Sequence, residues 1–227
     1  SRTWPGRRCQ PGNEKRRFSD LRVLRRPFAI AGKQDGRIAL LLKTVGSGSR
    51  WLERRRPGQV LDMLGPLGNG FDLAGVRSAL LVGGGTGLAS LLSLAQEFAG
   101  TAIKTTAIVG ARSLEASPLP WRATDRGRAI EELEAMGVES LLVTEQEDSL
   151  LVTQPLGDIL SGIEPHQATV FACGPWAMMA EVAHLVRGRF ECQVSLEARM
   201  GCGVGACRTC VVPIRVGSGW TYRTVCR

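Results

Sequence analysis

The cysteines near the end of this chain constrain its fold more than any other feature. Cys202, Cys207 and Cys210 lie within nine residues, and Cys226 follows after fifteen more. This C-x4-C-x2-C…C spacing is typical of the ligands of a plant-type [2Fe–2S] cluster. We therefore predict a C-terminal iron–sulfur module in which these four cysteines are the metal ligands.

The chemistry of the residues in this segment supports that prediction, although two alternatives remain open. Thiolates are the soft donors that iron in a sulfide cluster accepts, and Gly203 and Gly205 allow a tight loop that turns backbone N–H groups toward the sulfurs. A structural zinc site would favour two pairs of cysteines separated by two residues. Disulfides would require an oxidising compartment, which nothing in the sequence indicates. We interpret Cys9 and Cys192 as bystanders.

The middle of the chain alternates between aliphatic strands and helices. The pattern predicts strands at 78–82, 105–109, 138–143 and 169–172, and helices after Gly87 to about Phe98, at 128–136, at 156–160 and from Pro175 to about Val186. Strand–helix alternation at this spacing is typical of a parallel sheet with crossover helices. We therefore predict a nucleotide-type α/β domain.

The segment between about Arg26 and Gly70 has a different pattern. An aliphatic run at 38–42 and a period-two alternation at 59–64 indicate strands, and the glycine-rich stretches 46–49 and 65–70 indicate turns. These features predict part of a small antiparallel barrel or sandwich, with three or four of the roughly six strands that such a unit needs.

Two turns of the α/β region are candidate ligand-binding segments. The first is Gly83, Gly84, Gly85, Thr86 and Gly87, between a strand and a helix, where glycines would let a pyrophosphate approach the backbone at a helix N-terminus. The second is Cys173, Gly174 and Pro175, between the last predicted strand and its helix. Because ligands bind at the carboxyl ends of parallel strands, we expect the two turns to face one crevice. Either turn alone could instead serve strand–helix packing.

The net charge of +8 resembles that of a nucleic-acid-binding protein until it is mapped along the chain. Residues 1–26 contain nine basic and two acidic residues and carry +7, which leaves +1 for the other residues. A basic arm can bind phosphates, but blocks of like charge are usually solvated or disordered, so we expect no nucleic-acid partner. No apolar run reaches the roughly 18 residues of a membrane-spanning helix, so we also expect no membrane contact. The chain begins without Met and ends one residue after Cys226, which we interpret as the ends of a fragment.

Taken in order, the motifs resemble the ferredoxin reductase superfamily, and within it the electron-transfer subunits of NAD-dependent (type B) dihydroorotate dehydrogenases. The resemblance covers about residues 24–227. The resemblance rests on these motifs: R-P-F-A-I at 26–30, L-L-K at 41–43, G-S at 48–49, L-G-P-L-G-N-G-F at 64–71, V-G-G-G-T-G at 82–87, F-A-C-G-P at 171–175 and S-L-E-A-R-M-G-C-G-V-G-A-C at 195–207. The combination of the L-G-P-L-G-N-G-F segment with a C-terminal plant-type cluster is far more specific than the glycine loop alone.

The resemblance implies a fold class and a domain order. The fold is α/β plus β, with a partial FAD-binding antiparallel barrel, a parallel-sheet NAD-binding domain and a small [2Fe–2S] module. The domains implied are a basic N-terminal segment at 1–25, the barrel portion at 26–74, the NAD-binding domain at 75–195 and the cluster module at 196–227. The family has about three barrel strands before the Arg-Pro motif, whereas this chain has only 25 residues there. The affinity for FAD is the property that this difference would affect most.

The resemblance also implies a function. In this family an FMN-containing catalytic subunit oxidises dihydroorotate, and electrons pass through a [2Fe–2S] cluster and FAD to NAD, within a cytoplasmic heterotetramer of pyrimidine biosynthesis. We expect no catalytic acid or base on this chain, because the cofactors carry the chemistry. An alternative is a reductase subunit of another oxidoreductase, such as a hydrogenase, and a zinc-stabilised binding module is a third possibility.

The implied cofactor contacts can be placed on this sequence residue by residue. The FAD-contacting positions are Arg26, Pro27, Phe28, Ala29, Leu41, Leu42, Lys43, Gly48 and Ser49, and the family has Ser where this chain has Ala29. The NAD face would comprise Gly83, Gly84, Gly85, Thr86 and Gly87 with Cys173, Gly174 and Pro175. Cys202, Cys207, Cys210 and Cys226 would hold the cluster.

Overall fold

The computed structural model describes residues 25–227. The predicted basic segment 1–25, apart from Arg25, and Cys9 lie outside the described residues. The strands within this range are β1 (Ile30–Gln34), β2 (Arg37–Leu40), β3 (Ser78–Gly84), β4 (Lys104–Ala111), β5 (Trp121–Thr124), β6 (Gly127–Ile130), β7 (Glu139–Thr144), β8 (Thr169–Cys173), β9 (Glu191–Val194), β10 (Val211–Val216) and β11 (Gly219–Thr224). The helices are α1 (Ser47–Glu53), α2 (Leu88–Phe98), α3 (Glu131–Ala135), α4 (Thr153–Ser161) and α5 (Trp176–Val186), and a 3-10 turn at Gly85–Gly87 precedes α2.

The chain divides into two compact units. Among the described residues, the first unit combines residues 25–27 with Leu42–Gly70 and Glu197–Arg227, and the second combines Phe28–Leu41 with Phe71–Leu196. Each unit is therefore built from segments that are distant in sequence. No helix among residues 25–227 is long and apolar enough to cross a membrane.

A five-stranded parallel sheet organises the second unit, with strand order β7-β4-β3-β8-β9. Every residue of β8 and all but the first of β3 are buried, as expected for central strands covered on both faces. One face packs against α2 through Leu88, Leu91 and Leu92. The other face packs against α4 and α5, with Leu156 and Val182 at the centre. The predicted parallel α/β sheet is confirmed.

The interval between β4 and β7 contains a hairpin that the sequence pattern did not predict. Residues 128–136 were expected to form one helix because Ile130, Leu133 and Met136 are spaced along a helical face. Instead β5 and β6 pair as an antiparallel hairpin, and α3 begins only at Glu131. Ile130 is fully buried at the end of β6, so its apolar side chain serves the strand rather than a helix. The helix prediction is wrong for 128–130.

Residues before β3 form one antiparallel strand pair in the part of the chain that the structure describes. β1 pairs with β2 through a two-residue loop, Asp35-Gly36, whose φ angles of 50° and 73° are both positive. Such a loop suits the right-handed twist of paired strands, and glycine accepts the conformation without strain. The hairpin belongs to the second unit, where Gln96 of α2 accepts a hydrogen bond from the Lys33 N–H at 3.2 Å.

Two other expectations for this region are wrong. Residues 59–64 have no strand partner among residues 25–227, although their polarity alternates with period two, because hydrogen-bond pairing needs a neighbouring strand as well as a pattern. The stretch 46–49 is the start of α1 rather than a turn. The Ser49 hydroxyl explains this helix start, since it accepts hydrogen bonds from the N–H groups of Val45 and Gly46, both at 3.0 Å.

Candidate functional site

The loop that carries the first three cysteines of the C-terminal module is wrapped around a sulfur atom. The N–H groups of Val204 and Cys207 each donate to Cys202 Sγ at 3.4 Å. Gly203 and Gly205 have φ angles of +75° and +81°, which favour glycine strongly. The tight glycine loop with N–H groups aimed at a sulfur, expected from the sequence, is therefore present.

The fourth cysteine is brought to this loop by the β10–β11 hairpin. Val211 opposes Thr224 in the hairpin, and the ladder continues one step further as the Val225 N–H donates to the Cys210 carbonyl at 3.0 Å. Cys210 and Cys226 thus lie side by side at the open end of the hairpin, although fifteen residues separate them. Both side chains are buried.

The thiols form two pairs whose ionisation is shifted by their neighbours. The Thr209 hydroxyl, 3.1 Å from Cys207 Sγ, together with the Thr209 N–H and Cys202, lowers the pKa of the Cys207 thiol to about 6. Burial opposes ionisation of Cys210, but hydrogen bonds from the backbone and thiol of Cys226 lower its pKa overall. That same hydrogen bond with Cys210 raises the pKa of Cys226. Thiolate character is therefore favoured at Cys207 and Cys210, one member of each pair.

This donor set fits a [2Fe–2S] cluster, in which four thiolates are shared between two irons. Cys202, Cys207, Cys210 and Cys226 would be the four thiolates that hold such a cluster. Backbone and hydroxyl donors already point at the sulfurs, as outer-shell groups of a metal site do. Among residues 25–227, no three His, Cys, Asp or Glu side chains are arranged to hold a single metal ion.

In the second unit, the two candidate nucleotide turns meet at the carboxyl edge of the parallel sheet. Gly83 is paired in register with Cys173, so the turns that follow β3 and β8 leave the sheet side by side. A Cβ atom on Gly87 would lie 2.5 Å from the carbonyl oxygen of Cys173. A Cβ on Gly174 would lie 3.0 Å from the Gly84 nitrogen. The two turns thus lie side by side in backbone contact at the carboxyl edge of the sheet, and a shared ligand-binding crevice there stays a prediction.

The glycines of this edge divide into two kinds. Gly84 and Gly87 are buried, and a side chain at either position would strike the 173–178 segment. Gly85 is different, because its φ of +55° favours glycine and no atom of the described residues lies within 4 Å of its Cβ position. Packing therefore accounts for Gly84 and Gly87, whereas Gly85 leaves open backbone just before α2. Open backbone at a helix N-terminus fits the pyrophosphate of a dinucleotide.

Polar side chains accompany the buried Cys173 thiol. Cys173 Sγ lies 3.7 Å from the hydroxyl oxygen of Ser90 on α2, and Ser195, just after β9, places its own hydroxyl oxygen 3.4 Å from that of Ser90. Neither serine was among the site residues predicted from the sequence, since a lone Ser on a helix or after a strand carries no local signal. Thr209 was also missed, although its position between two ligand cysteines could have indicated a hydroxyl donor to sulfur. Trp176, the first residue of α5, is 55% exposed beside Pro175.

The expected FAD-contacting residues are distributed over both units. The second unit contains Phe28, Ala29 and Leu41, of which Ala29 and Leu41 pack against the core around α2. The first unit contains Arg26, Pro27, Leu42, Lys43, Gly48 and Ser49. There the Arg26 side chain lies against α1, with Nε 3.3 Å from the Cβ position of Gly48. The Arg26 guanidinium is a cationic hydrogen-bond donor, and Gly48 beside it has no side chain. This combination suits the pyrophosphate of a flavin dinucleotide.

Comparison with known proteins adds a match for the C-terminal module. Residues 197–227 match a family model described as the iron–sulfur cluster binding domain of dihydroorotate dehydrogenase B. The matched segment contains all four cysteines of the two thiol pairs.

Curated relatives match nearly the whole chain. The electron transfer subunit of dihydroorotate dehydrogenase B (NAD(+)) from Bacillus caldolyticus is 32% identical over 99% of this chain and 86% of its own length. The protein of the same name from Caldanaerobacter subterraneus subsp. tengcongensis is 28% identical over 99% of this chain and 85% of its own length. The one from Desulforamulus reducens is 34% identical over 85% of this chain and 71% of its own length.

Solved structures extend the likeness to the fold. A chain of an NADH-dependent reduced ferredoxin-NADP oxidoreductase superposes with a TM-score of 0.70 at 24% identity, over 88% of this chain and 69% of its own. A flavohemoglobin from Malassezia yamatoensis superposes with a TM-score of 0.55 at 18% identity, over 74% of this chain and 46% of its own. The ferredoxin reductase-like fold expected from the sequence, with a parallel sheet, antiparallel strands and a C-terminal iron–sulfur domain, is confirmed.

Proposed function

The chain belongs to the family of electron-transfer subunits of dihydroorotate dehydrogenase B (NAD(+)), and from that membership we propose that it connects the oxidation of dihydroorotate on a partner subunit to NAD⁺. The observation that carries the proposal is the pairing of Cys202 with Cys207 and of Cys210 with Cys226 in one module, within a chain whose curated relatives described above bear this name. The relatives favour this function over a subunit of a hydrogenase.

The cofactors of this function are a [2Fe–2S] cluster, FAD and NAD. When bound, the cluster carries one electron at a time, and the flavin links these single-electron transfers to the two-electron hydride transfer of NAD. We assign the cluster to Cys202, Cys207, Cys210 and Cys226. Backbone N–H groups from the Val204 and Cys207 positions hold Cys202 Sγ in place, and the Thr209 hydroxyl does the same for Cys207 Sγ.

We assign NAD to the carboxyl edge of the parallel sheet. The open backbone at Gly85 and the start of α2 suit its pyrophosphate, while Gly84, Gly87 and Gly174 keep the turns after β3 and β8 together. We assign FAD to Arg26, Pro27, Phe28, Ala29, Leu41, Leu42, Lys43, Gly48 and Ser49. The cationic Arg26 beside Gly48 supports contact with a phosphate.

The name of the relatives implies a catalytic partner subunit. We propose that this partner carries FMN and that the two kinds of subunit assemble into a heterotetramer. We also propose a cytoplasmic location, because thiolates that hold an iron–sulfur cluster need a reducing compartment. Light scattering of the co-purified subunits would measure the stoichiometry.

The test is an anaerobic purification followed by assays of iron, acid-labile sulfide and FAD on one sample. We expect two irons, two sulfides and one FAD per chain, and NADH formation from dihydroorotate once the catalytic subunit from the same genome is added. The variant C207S should lose iron, sulfide and visible absorption, whereas C192S, which removes a cysteine outside the two pairs, should keep them. Bound zinc without visible absorption in the unaltered chain would refute the proposed function.

A further inference from the structure

One segment that the proposed cofactor contacts leave unused lies directly on the cluster module. Leu64–Gly70 has no helix or strand and belongs to the first unit, together with all four ligand cysteines. We call it the covering loop. It is largely apolar, and its residues Leu64 and Leu67 are 44% and 41% exposed, so its leucines are not ordinary core residues.

The two leucines lie over the loop between the first two ligands. A Cβ atom on Gly203 would be 2.9 Å from Leu67 Cδ1 and 3.3 Å from Leu64 Cδ2. Gly203 itself is buried, although the neighbouring Val204 is exposed. The leucines therefore separate the backbone next to Cys202 from water.

The same loop is also attached to the segment of the fourth ligand. The Gly68 N–H donates to the Cys226 carbonyl at 3.1 Å. Gly68 has a φ of +78°, and a Cβ there would lie 3.1 Å from the Val225 carbonyl oxygen. The covering loop thus contacts Gly203, which follows the first ligand, and the backbone of the last ligand.

We propose that the covering loop positions the two halves of the cluster site and excludes water from one side of it, so that Leu64 and Leu67 set the reduction potential and the chemical stability of the bound cluster. The proposal rests on the proposed function, because it requires that the four cysteines hold [2Fe–2S]. Reduction adds one negative charge to the cluster, and water stabilises that charge. Solvent exposure and hydrogen bonding are known controls of the potential of such clusters, so leucines that exclude water should lower it.

The experiment uses the full chain with its cluster and compares L64A, L67A and L64A/L67A with the unaltered protein. We expect the double variant to lose visible absorption in excess chelator about tenfold faster, since outer-shell changes typically alter metal affinity by 10- to 100-fold. We also expect an increase of about tenfold in the reduced-to-oxidised ratio at a fixed potential, which for a one-electron couple corresponds to about 59 mV, measured by redox titration with electron paramagnetic resonance.

Two further variants separate water exclusion from a general effect on the fold. Met63 precedes the loop and is 52% exposed, but none of its atoms lies within 4 Å of the Gly203 Cβ position, so M63A should behave like the unaltered protein. L67M keeps an apolar side chain of similar volume and should retain most of the effect of leucine. The single variants remain informative if the double variant fails to fold.

Equal potentials and equal chelation rates for L64A, L67A and M63A would overturn the proposal while leaving the proposed function intact. An unaltered chain that binds zinc, or no cluster at all, would overturn both. Dihydroorotate-dependent NADH formation with the catalytic subunit is measured separately, so a defect in electron transfer from the partner is not confused with a change in the cluster.

Discussion

Replacing Gly87 by Ala tests whether backbone contact between the two turns of the sheet edge stabilises the second unit. The added Cβ would lie 2.5 Å from the Cys173 carbonyl oxygen and 2.6 Å from both the Cys173 carbonyl carbon and the Gly174 nitrogen. These are backbone atoms at the end of a central, fully buried strand, so they cannot rotate away as a side chain would. Gly87 has an ordinary helical φ of −60°, so the cost arises from contact alone.

The magnitude follows from the size of this overlap. Overpacking of a core costs about 1–3 kcal/mol, and the clash with fixed backbone places G87A near the upper end, at about 3 kcal/mol of unfolding free energy. With a urea m-value of about 2 kcal/mol/M, the unfolding midpoint should fall by about 1.5 M. Far-UV circular dichroism in urea measures it, and NADH titration of the folded variant should also detect weaker binding as the turns separate.

Two other glycines give matched controls. Gly157 lies inside α4, and among residues 25–227 nothing comes within 4 Å of its Cβ position, so G157A should stabilise the protein by about 0.5–1 kcal/mol. Gly85 is also open but has a φ of +55°, so G85A should cost about 1–2 kcal/mol. The expected order of stability is G157A, unaltered protein, G85A, G87A. If G87A were as stable as G85A, the backbone contact between the two turns would not be the reason for this glycine.

Three further measurements test other parts of the structure. Removing the hydroxyl donor of Cys207 Sγ in T209V should lower the cluster's midpoint potential, because hydrogen bonds to sulfur stabilise the reduced state; a potential unchanged in redox titration would contradict this. The Asp148 pKa is lowered chiefly by the Arg128 side chain, so D148N should lose about 1–3 kcal/mol of unfolding free energy at pH 7. The difference in unfolding free energy between the unaltered protein and D148N should have its full value above about pH 3.9, the pKa of Asp in the unfolded chain. It should shrink as the pH falls through the lower pKa of Asp148 in the folded protein. Urea unfolding at pH 7, 5 and 3 measures it, and a difference that stays constant would show that the carboxylate is not responsible. Burial raises the pKa of Cys192 to about 11, so only about 0.1% of it is thiolate at pH 8; iodoacetamide should alkylate it far more slowly in the native protein than in urea, and equal rates would refute its burial.

The regions where the sequence pattern misled show what local signals lack. The alternation at 59–64 has the period of a strand, but pairing depends on a neighbouring strand, and none lies beside it in the part of the chain that the structure describes. The helical spacing of Ile130, Leu133 and Met136 coincided with a strand followed by a short helix. In both cases the sequence has the period of the predicted element. Contacts with residues distant in sequence decided which element forms.

The sequence by itself determined the chemistry and the fold class of this protein. Four cysteines at plant-type spacing predict a cluster because thiolate ligation depends on a few residues held by a short loop. Buried strands alternating with helices specify the parallel sheet because each element must cover an apolar face.

Only the tertiary structure decided how distant segments support that chemistry. It placed Gly87 against Cys173, and the covering loop on both Gly203 and Cys226. These contacts depend on close approach between particular atoms, often where a residue has no side chain, and such an approach leaves no period in the sequence. The sequence therefore specified the residues that can hold the cluster, and packing decided which residues surround them.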